Sequence, residues 1–230
     1  TIRIAVFESK SGLQADLLIG AGAVTEIETS AVSLGEYGPA PRFCDAVTTG
    51  RITIREATCP AIHAALQASE KGVPFMPLRG IIGSDIQKHR PDWRIVDNPL
   101  GEGGDPILLL PAIAPDVALF HVSLADRDGN VWVGRDRDLI TMAHASRETL
   151  VSAETIQDAN LFDDPLLAAG ALSSLYVTAV AKAERGAWPL AQPGCYGDDA
   201  ENLRAYAGAA KTQDGFARYL DQHVFASAAA

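Results

Sequence analysis

Apolar runs that recur between helix-patterned segments restrict this chain to very few architectures. Ile107-Leu108-Leu109-Leu110, residues 117–122 and residues 175–180 are almost continuously apolar. Runs of that length suit strands buried on both faces, as in a parallel sheet. Residues 2–7 and 52–55 add two more strand signals. Asp128-Gly129-Asn130 is a turn signal, so residues 117–124 and 131–133 are predicted to form a hairpin. Helix patterns fall between the strands. Pro60 suits a first helical position, and Ile62, Ala65 and Leu66 keep helical spacing up to the stop at Gly72. Residues 138–147, 199–210 and 212–223 read as further helices. The alternation predicts an α/β fold: an open, mostly parallel sheet with flanking helices, a β-hairpin and a C-terminal helix pair. Residues 1–230 are expected to form a single domain.

Composition excludes several function classes. The chain carries 29 acidic and 19 basic residues, a net charge of −10. A nucleic-acid partner is therefore not expected, because phosphate backbones need clustered Lys and Arg. No apolar run approaches the ~20 residues of a membrane-spanning helix, so no membrane partner is expected. Thr1-Ile2-Arg3-Ile4-Ala5-Val6 lacks the layout of a signal peptide. It also lacks an initiating Met, so an upstream segment is expected. Cys44, Cys59 and Cys195 form no CxxC pair, and no metal site is expected. Free thiols point to a reducing compartment, and the predicted location is cytoplasmic.

Four segments stand out for chemistry. In Arg79-Gly80-Ile81-Ile82-Gly83-Ser84-Asp85, two glycines three apart let backbone amides approach a ligand, Ser84 adds a hydroxyl, and Arg79 suits a carboxylate or phosphate. A strand-to-helix turn without a ligand explains the same residues. Ala125-Asp126-Arg127-Asp128-Gly129-Asn130 reads as a turn whose side chains tie down their own backbone. Leu100-Gly101-Glu102-Gly103-Gly104-Asp105 reads as a solvent-facing acidic loop. Glu8, in Phe7-Glu8-Ser9-Lys10-Ser11-Gly12, follows a predicted parallel strand, where open α/β sheets place ligand sites. His121 reads as a satisfied core-edge histidine, and Cys59, just before Pro60, as a packed, inert thiol.

The order of several segments resembles the A (alpha) subunit of the class I coenzyme A (CoA) transferases, which include glutaconate and 3-oxoacid CoA-transferases. The segments are Ala15-Asp16-Leu17-Leu18-Ile19-Gly20, Leu34-Gly35-Glu36-Tyr37-Gly38-Pro39, the Gly-rich stretch 75–85, Pro111-Ala112-Ile113-Ala114-Pro115-Asp116-Val117-Ala118, residues 125–131, and Gly186-Ala187-Trp188-Pro189. No single motif is decisive; the series in order is specific.

The resemblance implies nucleophilic catalysis by a Glu carboxylate that forms an enzyme glutamyl-CoA thioester. It implies no bound cofactor, the CoA thioester being a substrate. It also implies a homologous B (beta) subunit in a hetero-oligomer, with acyl-CoA and a carboxylic acid as substrates. In two-subunit members the nucleophile lies on the beta subunit in an E-N-G or E-S-G tripeptide, which this chain lacks. Glu8 is the nearest approach on this chain, and Arg79, Gly80, Gly83 and Ser84 would line the acyl/CoA cleft. The family's N-terminal G-G-F-G segment is absent, so this chain alone is expected to be inactive. A related hydrolase branch uses an alpha-subunit Glu near the place of Cys59, a substitution that argues against hydrolysis here. A CoA-thioester hydrolase or ring-opening enzyme, with Glu8 or Glu56 as its carboxylate, and a non-catalytic ligand-binding domain remain the alternatives.

Overall fold

The structure is a computed structural model that describes residues 2–6 and 12–226. The described residues divide into two compact units. One gathers the chain up to Ile62 with Lys88–Arg90 and the stretch from Asp199 onward; the other holds His63–Gln87 and Pro91–Asp198.

The first unit is built on a parallel three-stranded sheet of β1 (Ile2–Val6), β2 (Val24–Thr29) and β3 (Thr53–Glu56), in sequence order. Helix α1 (Gly12–Gly20) connects β1 to β2, and α2 (Pro41–Thr48) lies between β2 and β3. Ile4, Ile27 and Ile54 stand at matching register, with Ile27 fully buried at the centre. Helix α1 starts hard against the chain that follows β2. A Cβ on Gly12 would lie 1.8 Å from the Ser33 carbonyl oxygen, so only glycine fits there.

Asp16 on α1 is fully buried. It accepts the Arg42 and Phe43 amides at 3.3 and 2.6 Å and the Tyr206 hydroxyl at 2.6 Å. The carboxylate thereby satisfies free amides in the first turn of α2 and ties α1, α2 and α6 (Ala200–Ala209) together. Burial raises its pKa, against the lowering effect of these hydrogen bonds. Helix α7 (Gln213–Leu220) completes the unit, with Tyr206 edge-on to both Phe216 and Tyr219. Asp199 and Thr212 cap the two helices by accepting the amides of Asn202 and Gly215, so the helices begin where the sequence placed them.

The second unit has two sheets. The larger runs β10-β8-β7-β9-β11: Ala171–Leu172, Val131–Trp132, Val117–Asp126, Glu148–Gln157 and Ala179–Lys182. Strands β7, β9 and β11 are parallel, and β7 with β8 forms the predicted hairpin. Val122, Ala125, Val151 and Ala153 pack with Ala143 of α4 (Asp138–Ala145) and form the core. The smaller sheet is β4-β6-β5: Phe75–Leu78, Pro106–Pro111 and Arg94–Asp97.

Two expectations are corrected here. Ile107–Leu110 sits in β6, which pairs antiparallel with both neighbours, rather than in a parallel strand. Only Leu108 and Leu110 are buried, so the run marks the middle strand of a small sheet and not a strand covered on both faces. Residues 175–180 are not one strand. Ser174–Tyr176 forms a 3-10 turn with Leu175 87% exposed, and β11 starts only at Ala179. Among the described residues no helix is long and apolar enough to cross a membrane.

Candidate functional site

In the first unit, Val6, Thr29 and Glu56 share one level of the parallel sheet, so the segments that follow them leave from one edge. Glu8 follows β1 and lies outside the described residues. Ser30 follows β2, and Ala57-Thr58-Cys59 follow β3. The Ala57 amide donates to the Thr29 carbonyl at 3.1 Å, which holds the two exits together. Ser30 Oγ and Cys59 Sγ are 3.0 Å apart. Cys59 is the first residue of α3 (Cys59–Glu70). Contrary to the expectation of a packed thiol, its side chain is exposed, because the helix begins beyond the sheet edge rather than under it. Beside this edge, Arg90 is only 4% exposed. It binds Glu28 Oε1 at 2.8 Å and the Glu56 carbonyl at 3.1 Å, clamping the ends of β2 and β3.

The Gly-rich stretch belongs to the second unit. Strand β4 ends at Leu78, and the chain turns through Gly80–Ser84 into the 3-10 helix Asp85–His89. Gly83 has φ +87°, which explains a glycine there without any ligand. Gly80 and Gly83 are exposed, and among the described residues their amides meet no acceptor. The Ser84 amide is already committed to the Ile81 carbonyl at 3.1 Å, while its Oγ is buried without a partner. Arg79 is exposed and pairs with Asp105. Asp105 also accepts from Asn98 Nδ2 at 2.8 Å, and that bond, ahead of Arg79, lowers its pKa. The acidic loop is thus tethered at its end.

Two further clusters hold loops in the second unit. Asp126 is buried and accepts from the Asn130 amide and side chain and from the Leu161 amide, at 2.8–2.9 Å. Burial pushes its pKa up, but these donors outweigh it and the carboxyl ends low. The Asp-x-x-x-Asn turn acts as sequence patterning predicted, and it reaches Ser174 as well through Asn130 Oδ1.

The other cluster was not legible in sequence. Glu154 of β9 accepts from His121 Nε2 at 2.8 Å, the Tyr196 hydroxyl at 2.6 Å, and the Arg185 and Gly186 amides at 2.7 and 3.1 Å. His121 Nδ1 meets Ser152 Oγ at 2.8 Å. An acceptor-only carboxylate at Nε2 requires the proton there, which leaves Nδ1 to accept the serine hydroxyl in the neutral ring. Burial raises the Glu154 pKa, the Tyr196 and Arg185 hydrogen bonds outweigh it, and the net shift is downward. Burial, with the bond to Glu154, lifts the Tyr196 phenol to about 12. This cluster anchors the segment that carries Gly186-Ala187-Trp188-Pro189. Its signal in sequence is no more than His121 and Glu154 on separate strands, whose pairing depends on the β7–β9 register.

No protein-family model matches the chain. The cholesterol ring-cleaving hydrolase IpdA subunit of Mycobacterium tuberculosis is 31% identical over 219 residues, spanning 90% of this chain and 74% of that protein. The A (alpha) subunit of glutaconate CoA-transferase from Acidaminococcus fermentans is 29% identical, over 91% of this chain and 70% of its own length. The crystal structure of that glutaconate CoA-transferase superposes with a TM-score of 0.85, covering 96% of this chain and 75% of the other. The chain belongs to the alpha-subunit family of the class I CoA-transferases. It spans about half, 47%, of an uncharacterised relative from Archaeoglobus fulgidus that is 29% identical. The CoA-transferase resemblance read from the ordered motifs, and the α/β class with helix-flanked sheets read from the strand–helix alternation, therefore both stand.

Proposed function

We propose that this chain is the alpha subunit of a two-subunit, cytoplasmic CoA-transferase. The observation that carries the reading is a family likeness across nine-tenths of the chain to a protein named as the corresponding subunit of a transferase. In the proposed reaction the acyl-CoA carbonyl carbon is attacked by a glutamate of the beta subunit. The C–S bond breaks, giving a mixed anhydride and CoA thiolate. The thiolate attacks the glutamyl carbonyl and releases the donor acid as its carboxylate, leaving an enzyme thioester. The acceptor carboxylate then runs the same two steps in reverse. Thioester is exchanged for thioester, so the cycle draws on no further energy source.

On this chain the proposed contributions are Arg79, to hold a substrate carboxylate, and the Gly80 and Gly83 amides, to face developing negative charge on an oxygen. The Ser84 Oγ, buried and without a partner, suits a hydrogen bond that a substrate completes. The Ser84 amide drops out of that role, since Ile81 already occupies it. Glu8 is retained as the one carboxylate of this chain proposed for a nucleophilic role.

Co-expression with a homologous chain that carries the E-N-G or E-S-G tripeptide tests the proposal. The expected outcome is a stable complex that moves CoA from succinyl-CoA or acetyl-CoA to an added acid, with no activity from either chain alone. Absence of both complex and transfer overturns it. A second reading, CoA-thioester hydrolysis or ring opening, is favoured by the 31% identity to the ring-cleaving hydrolase chain. Free CoA released without an acceptor acid, and lost on Glu8→Ala, would select it.

A further inference from the structure

Strands β7 and β9 bring a serine, a histidine and a glutamate into one hydrogen-bonded row. Side chains alternate between the two faces of a sheet, and residues at matched register share a face. His121 of β7, Ser152 of β9 and Ala181 of β11 stand at one level. Glu154 lies two residues beyond Ser152, on the same face. Ser152 Oγ and His121 Nδ1 are 2.8 Å apart, and His121 Nε2 lies 2.8 Å from Glu154 Oε1. In the neutral ring the carboxylate fixes the tautomer. Nε2 keeps the proton, and Nδ1 accepts the serine hydroxyl. A hydroxyl on a base that a third group orients is the arrangement that activates a nucleophile. Such sets are recognised by geometry and role, not by position in the chain.

Two features separate this row from a histidine merely satisfied at a core edge. First, the base is held firmly. Glu154 is pinned by the Tyr196 hydroxyl and by the Arg185 and Gly186 amides. The Gly186 backbone closes over the imidazole, and a Cβ there would lie 2.6 and 2.7 Å from His121 Cε1 and Nδ1. The His121 and Glu154 side chains are 11% and 10% exposed. Second, the serine adjoins a part of the sheet left open. Strand β7 is the middle strand of five, yet Leu119 is 72% exposed. Val122, Val151 and Ala153, on the opposite face, pack into the core with α4. Leu119, Leu150 and Ala179 form the level next to His121, Ser152 and Ala181, about 7 Å along the strands. An apolar shelf thus lies beside the hydroxyl.

We propose that Ser152 is a nucleophile that captures the acyl group of an activated carboxylic ester with a short apolar chain. His121 Nδ1 takes the hydroxyl proton as Ser152 Oγ attacks the carbonyl carbon. The ester C–O bond breaks, the leaving alkoxide takes that proton from His121, and the acyl group stays on Ser152 as an ester. Its chain lies on Leu119, Leu150 and Ala179. Strand β9 is paired on both sides at Ser152, which commits the ladder amides there to strand pairing. Each oxyanion donor that a site lacks costs about 100–1,000-fold in rate. The row therefore suits a single acylation by esters with good leaving groups, not rapid turnover. The assignment concerns this chain alone and draws nothing from the transferase reading.

The test uses the full chain with its three exposed thiols first blocked by iodoacetamide. It is mixed with p-nitrophenyl butyrate, nitrophenolate release is followed, and the adduct is located by peptide mass mapping. A burst of about one equivalent and a butyryl group on Ser152 are expected. Ser152→Ala should abolish the burst with the circular dichroism spectrum unchanged. His121→Gln should slow acylation about 100-fold or more, the share of a general base. The wild-type pH profile is a second measurement that needs no variant. A rate that rises with pH and levels off once the ring is neutral supports the assignment. A rate that climbs without levelling, as for an unassisted hydroxyl, overturns it. So does a folded wild type that carries no butyryl group on Ser152, or a folded His121→Gln chain that acylates as fast as wild type.

Discussion

Glu154→Gln probes the four-donor carboxylate of β9 with almost no change of shape. In the wild type, Oε1 receives Tyr196, His121 and Gly186, and Oε2 receives Arg185. The amide keeps one acceptor oxygen. Its NH₂ must then face at least the Arg185 N–H, which is left unsatisfied at a cost of about 1–3 kcal/mol. The bonds that survive lose their charge assistance, adding roughly 1 kcal/mol. The expected total is about 2–4 kcal/mol, or a fall in Tm of roughly 5–10 °C for a chain of this size.

Thermal unfolding by circular dichroism measures the total, and amide hydrogen exchange over residues 183–197 locates it. The pH dependence adds a second check. The folded-state pKa of Glu154 is depressed from 4.5. Its contribution is therefore fully present above about pH 4.5 and is lost as pH falls through the lower folded value. The gap between wild type and Glu154→Gln should stay constant from pH 6 to 8 and close in acid. A Tm within 1 °C of wild type at pH 7, with unchanged exchange over 183–197, would refute the assignment of this carboxylate as the loop's anchor.

Asp16 should behave with the opposite sign. Its folded pKa is raised from 3.8, so the buried charge costs stability above that value, and mild acidification between 3.8 and the raised value should recover some of it. Tyr206→Phe removes one donor from that carboxylate and should cost about 1–2 kcal/mol, read by denaturant titration at pH 7. Gly12→Ala forces a methyl against the Ser33 carbonyl and should destabilise by about 2 kcal/mol or more, measured the same way. Arg79→Ala removes an exposed ion pair and should change stability by less than about 1 kcal/mol. In the reconstituted two-chain enzyme the same substitution is expected to lower kcat/KM, and full retention of activity would exclude Arg79 from the site.

Much of the architecture was decided by local sequence. Period and turn chemistry placed the β7–β8 hairpin at Asp128-Gly129-Asn130, and capping residues set the starts of α6 and α7. Those signals involve neighbours within a few residues, so they survive without knowledge of the fold. The Asp126–Asn130 turn was legible for the same reason. Other features were decided only in three dimensions. An apolar run does not state the direction of its neighbours, which is how Ile107–Leu110 became the middle of an antiparallel sheet. Cys59 reads as a packed thiol until the position of the α3 start beyond the sheet edge exposes it. Glu154 meets His121 and Tyr196 across separations of 33 and 42 residues, and Asp16 meets Tyr206 across 190. Sequence supplies the donors and acceptors in each case. Which of them meet depends on strand register and helix packing, because a buried carboxylate takes whatever donors the closed fold brings within 3 Å.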